Sequence, residues 1–116
     1  MAEITLYHNP RCSKSRQALQ LLVERGITPR IVLYLDNPPD AHELKQILKR
    51  LEMTPRTLMR CGEPEYRALG LDNPALDDET IIAMMVTTPK LIERPILVVG
   101  NRAVIGRPPE KILELI

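Results

Sequence analysis

The spacing of apolar residues changes twice along the chain, so that short β-prone runs at both ends enclose a middle stretch with helical periodicity. Ile4 to Tyr7 is a β-prone run closed by His8-Asn9-Pro10, whose proline disfavours helix at Asn9 and predicts an extended or turn segment. From Ser13 the positions Ala18, Leu19, Leu22 and Val23 recur at helical spacing up to Gly26, with Ser13 or Ser15 as the expected N-cap. After Pro29 the run RIVLYL is almost wholly apolar, as expected of a parallel strand covered on both faces. These stretches predict a β-α-β unit with its ligand end in the loop after the first strand. Cys12 lies in that loop.

The middle changes character. Leu44, Ile47, Leu48 and Leu51 repeat at helical spacing behind Asp40, a good cap that follows a proline turn. Further short helices are predicted at Thr54 to Met59, Pro64 to Leu69, and around Ile81 to Val86. The chain then returns to strands: two short runs flank Gly100-Asn101, a hairpin-compatible turn, and Pro108-Pro109 opens a last amphipathic helix. The fold class expected is α/β, a thioredoxin-like mixed sheet with an inserted all-helical subdomain. It is expected as one domain over residues 1–116 with the insert at about 40–90.

Composition narrows the function classes. The chain of 116 residues has room for one hydrophobic core, which must be aliphatic because there are three Tyr and no Phe or Trp. Binding by aromatic stacking is thereby disfavoured. A net charge of +1, with 16 basic and 15 acidic residues intermixed, gives no field that would gather nucleic acid or anionic lipid. No signal peptide and no apolar run of membrane-spanning length is seen, so a cytoplasmic location is expected. Cys12 and Cys61, the two cysteines, are then not expected to form a structural disulfide.

The loop around Cys12 reads YHNPRCSKSR. Backbone N–H groups at a helix start and the charges of Arg11, Lys14 and Arg16 would favour a thiolate there, and the same groups favour an oxyanion. His8 reads either as an imidazolium or proton shuttle beside the thiol, or as a histidine packed at a strand end. Position 15 is Ser, so the two-cysteine redox motif is absent, and position 18 is Ala where a phosphatase-type loop needs Arg. His8, Cys12, His42 and Cys61 lack the paired spacing of a zinc site, and His42 reads as a surface residue. No metal or bound cofactor is expected. Arginine suits a tetrahedral oxyanion, and Arg60, Arg94 and Arg107 sit at element ends, although spacing alone does not select them.

The segments ITLYHNPRCSKSR, VLYLDNPP, RALGL, LIERPILVV and GRPPE closely resemble the glutaredoxin-coupled arsenate reductase family, in particular its short bacterial branch. The match runs over nearly the whole chain, in order. The resemblance implies a thioredoxin-like fold with a helical insert, Cys12 as nucleophile, His8 and Ser15 assisting it, and Arg60, Arg94 and Arg107 binding the oxyanion. In such a fold Pro95 would be the cis-proline facing the thiol, with Arg94 beside it. The implied activity is reduction of arsenate to arsenite, as in arsenic detoxification, through a cysteinyl-arsenic intermediate, with glutathione as co-substrate and glutaredoxin as partner. A monomer is expected. Where well-studied members have C-G-T-S this chain has C-S-K-S, which leaves the role of Lys14 open. Cys61 has no counterpart in the family motif and reads as a buried or adventitious thiol. Two alternatives remain: a same-fold transcriptional regulator that binds RNA polymerase, and a general glutathione-linked thiol oxidoreductase.

Overall fold

The structure is a computed structural model, and it describes residues 3–116. Chain contacts divide it into two units, one running to Asn37 and resuming at Arg94, the other spanning Pro38–Glu93.

The first unit is built on a four-stranded mixed sheet of order β2-β1-β3-β4, comprising β1 (Ile4–Tyr7), β2 (Arg30–Val32), β3 (Ile96–Val99) and β4 (Arg102–Ile105). β2 runs parallel to β1, with Leu6 opposite Ile31, while β3 is antiparallel to both β1 and β4. Helix α1 (Ser13–Glu24) makes the crossover between β1 and β2 and ends at Gly26, whose φ of +73° suits a residue without a side chain. The predicted hairpin is present, with Gly100 at φ +61° in its turn. Leu6 and Leu97 from the central strands meet Ala18 and Leu22 of α1 and Ile112 of the C-terminal segment in a fully buried aliphatic core. Each such leucine contributes roughly 1.5–3 kcal/mol of burial, which anchors the middle and C-terminal half of α1 to the sheet.

Three expectations are corrected here. The apolar run after Pro29 is not a strand covered on both faces: β2 spans three residues at the sheet edge, Ile31 is exposed, and the chain turns at Tyr34 to Asp36. Neither Ser13 nor Ser15 caps α1; Cys12 occupies the N-cap position in extended conformation, and Ser15 lies buried inside the first turn. The last helix is a 3-10 segment, Pro109–Leu115, packed on α1 and β4.

The second unit is all helical. α2 (Ala41–Leu51) is capped as expected by Asp40, whose carboxylate accepts the Glu43 N–H at 2.8 Å. Thr54 caps α3 (Pro55–Leu58), and α4 (Pro64–Ala68) and α5 (Asp78–Thr87) follow, with a 3-10 turn at Pro89–Leu91. α5 buries Ile81, Ile82 and Met85 and packs against α2, α3 and that turn. Arg56 donates to the carbonyls of Leu71, Asn73 and Leu76, which ties down the irregular stretch before α5. Among the described residues no helix is long and apolar enough to cross a membrane.

Candidate functional site

The β1–α1 loop folds into a hydrogen-bonded turn held by its backbone groups and by the side chains of Asn9 and Arg16. The Asn9 carbonyl accepts the Cys12 N–H at 3.0 Å across Pro10, and Asn9 Oδ1 accepts the Arg11 N–H at 3.0 Å. Arg16 Nη1 reaches back to the Pro10 carbonyl at 2.8 Å. Cys12 is thus delivered to the start of α1, where the unpaired N–H groups of a 12-residue helix converge.

Half-burial of Cys12 opposes its ionisation. That penalty is outweighed by the Ser15 N–H, the Arg94 side chain, the Lys14 N–H and the Arg94 charge, which together hold the thiol below its ordinary range. Arg107 adds a second guanidinium, with Nη1 at 3.9 Å from Cys12 Sγ and 3.2 Å from the Arg94 carbonyl oxygen. The Arg94–Pro95 peptide is cis, and the Arg107–Pro108 peptide is cis as well, a feature that sequence reading did not identify. One unit therefore brings together Cys12, Ser15, Arg94, Pro95 and Arg107, with His8 at the end of β1.

His8 packs at the end of β1, one of the two readings its position allowed, and Ser15 lies beside it. His8 is buried, and its Nδ1 lies 2.6 Å from Ser15 Oγ. Burial, reinforced by the charge of Arg16, lowers its pKa and so disfavours the imidazolium form. Ser15 Oγ also accepts the Asn9 N–H at 3.0 Å, so the hydroxyl stitches the strand end to the helix while the backbone N–H faces the thiol.

Arg60 belongs to the helical unit. A bridge between Met59 and Ile92 sets Arg60 beside Glu93, and its guanidinium pairs with Glu93 Oε1 at 2.6 Å and Glu63 Oε1 at 3.1 Å. Its charge is therefore already matched by carboxylates. Cys61 is an exposed free thiol, not a buried one, with Sγ 3.8 Å from the Met59 carbonyl oxygen. Among the described residues no group of three or more His, Cys, Asp or Glu could hold a metal ion.

Gly106 is the positioning residue that motif reading missed. A Cβ there would meet Pro95 Cγ at 2.8 Å and Ile112 Cγ2 at 3.2 Å, and its N–H donates to the Pro95 carbonyl at 2.9 Å. The glycine in GRPPE was the available signal.

The ArsC family model matches residues 7–115. The chain belongs to the ArsC family. An arsenate reductase from Neisseria meningitidis is 50% identical over 113 residues, covering 97% of each chain. The protein YfgD of Escherichia coli K12 is 50% identical over 115 residues, covering 98% of this chain and 97% of its own. The solved arsenate reductase of Vibrio cholerae superposes with a TM-score of 0.96 at 44% identity, covering 99% of this chain and 98% of that one. The ArsC fold is thioredoxin-like, and the mixed sheet described above is its α/β framework.

Proposed function

We propose that this protein reduces arsenate to arsenite, with Cys12 as nucleophile and glutathione and glutaredoxin supplying the electrons. The observation that carries the reading is the placement of Cys12 Sγ at a helix N-terminus, under the influence of Arg94 and 3.9 Å from Arg107 Nη1. Fork-shaped cations beside a stabilised thiolate suit attack on a tetrahedral oxyanion. The names of the Neisseria and Vibrio relatives support arsenate as that oxyanion.

In this reading the Cys12 thiolate attacks arsenic(V), a protonated oxygen leaves as water, and a sulfur–arsenic bond forms. Arg94 and Arg107 hold the remaining oxygens and stabilise their charge through the transition state. Glutathione then adds its thiol to arsenic with loss of a second water. Glutaredoxin takes the glutathione sulfur as a mixed disulfide, and the arsenic–sulfur electron pair stays on arsenic, which passes from +5 to +3. Water then displaces Cys12 and arsenite is released. Both electrons come from external thiols, in keeping with a motif that has Ser15 where a resolving cysteine would stand. The place of Arg60 in oxyanion binding rests on the resemblance alone, since Glu63 and Glu93 engage its guanidinium.

The test is NADPH oxidation coupled through glutathione reductase, glutathione and glutaredoxin, with and without arsenate. Wild type should show an arsenate-dependent rate that disappears in Cys12→Ser. A rate that ignores arsenate would replace this reading with a general thiol oxidoreductase, and no rate at all, with RNA polymerase co-purifying, would replace it with the regulator.

A further inference from the structure

A cleft of about 280 Å³ opens beside the β1–α1 loop, lined by His8, Asn9, Pro10 and Arg11 on one side and by Leu33, Leu35 and Asp36 on the other. All seven belong to the sheet unit, and Arg11 is the residue immediately before Cys12.

Its lining pairs unengaged donors with one unengaged acid. The Arg11 guanidinium and the Asp36 carboxylate make no hydrogen bond or ion pair among the described residues, although both face solvent. His8 uses Nδ1 on Ser15 and Asn9 uses Oδ1 on the Arg11 N–H, while His8 Nε2 and Asn9 Nδ2 take no partner among the described residues. His8 and Asn9 are themselves 5% and 7% exposed, so these polar walls are fixed by the fold and are not loose surface groups. Between them Leu33 and Leu35 remain 38% and 37% exposed, an apolar floor large enough to cover aliphatic atoms of a ligand. The apolar run that failed to become a covered strand ends in this floor.

A cation, an amide donor, an imidazole nitrogen, a single carboxylate and two leucines complement a group that carries a carboxylate and an ammonium on a short aliphatic stem. We infer that this cleft binds the zwitterionic α-amino-acid end of the γ-glutamyl peptide thiol, with the ligand carboxylate toward Arg11, its ammonium toward Asp36 and its methylenes on Leu33 and Leu35. Held there, the peptide lies against the loop that carries Cys12, one residue after Arg11. The cleft is of the size that accepts the head of a tripeptide and leaves the remainder free to reach along the loop. The inference rests on the reading that glutathione completes the turnover, and it deepens that reading by assigning the co-substrate a site separate from the oxyanion-binding arginines.

The experiment uses S-methylglutathione, which cannot react, titrated into the ¹⁵N-labelled full chain. Amide shifts should concentrate at residues 8–12 and 33–36. N-acetyl-S-methylglutathione, which lacks the ammonium, should bind wild type about tenfold more weakly, and that difference should vanish in Asp36→Ala and in Asp36→Asn. Shifts that avoid both segments, or an N-acetyl penalty that persists in both variants, would overturn the inference. The arsenate chemistry is tested independently in the absence of glutathione, by whether arsenate protects Cys12 from alkylation. Loss of protection removes the reductase reading; loss of the cleft shifts with protection intact removes only this site.

Discussion

Gly106 packs against Pro95 so closely that a single added carbon would lie 2.8 Å from the proline ring, and the next residue, Arg107, reaches to 3.9 Å from Cys12 Sγ. The pair couples β3 to the segment after β4 through the Gly106 N–H and the Pro95 carbonyl, so backbone packing sets where one of the two arginines stands. Exchange of Gly106 for alanine forces either the proline or the Arg107 backbone to move. Overpacking of this kind costs about 1–3 kcal/mol, enough to lower the melting temperature by several degrees in a chain of this size. Gly106→Ala should therefore melt earlier and lose arsenate-dependent turnover, and differential scanning calorimetry with the coupled assay checks both.

The charge of Arg94 bears on the ionisation of Cys12. Burial alone would raise the thiol, and the net lowering depends on the Ser15 and Lys14 N–H groups together with Arg94. Alkylation of Cys12 against pH should show a midpoint below that of an ordinary free thiol. In Arg94→Ala the midpoint should move upward, because burial is then less opposed. An unchanged midpoint would show that the helix N–H groups suffice.

His8 predicts a pH dependence of stability with a definite sign. Its folded pKa lies below the ordinary histidine value of about 6.5, chiefly through burial, so the unfolded chain binds the proton more readily. The stability this neutral histidine contributes is complete above about pH 6.5 and is lost as the pH falls from there through the folded pKa. Urea denaturation of His8→Gln should show a shallower loss of stability than wild type across that window. Equal slopes would contradict the assignment.

Much of this arrangement was legible in the sequence because its signals are local. Asp40 before a clean helical repeat, Pro10 after Asn9, and Gly100-Asn101 between two β-branched runs each fix backbone geometry within a few residues. The position of Cys12 was legible for the same reason. What misled were cases where tertiary contacts override local preference. Serine is a favoured cap, yet Ser15 sits inside α1 because its hydroxyl is drawn to His8 and the Asn9 N–H, which leaves the cap position to Cys12. Apolar content suggested a covered strand over Ile31 to Leu35, yet only Tyr34 of its last three residues is buried and the flanking leucines line a cleft. The glycine of GRPPE marks a special position, but that it meets Pro95 depends on the β3–β4 pairing. The pairing of Arg60 with Glu93, 33 residues away, was illegible on the same ground.

The central claim is that the Cys12 thiolate attacks arsenate held by Arg94 and Arg107. The most direct measurement is the rate of Cys12 alkylation by iodoacetamide in glutathione-free solution, followed by mass spectrometry, with and without arsenate. Arsenate should slow alkylation of wild type several-fold, because the sulfur is then covered or bonded to arsenic, and Arg107→Ala should abolish the protection. Alkylation at the same rate with and without saturating arsenate would contradict the account.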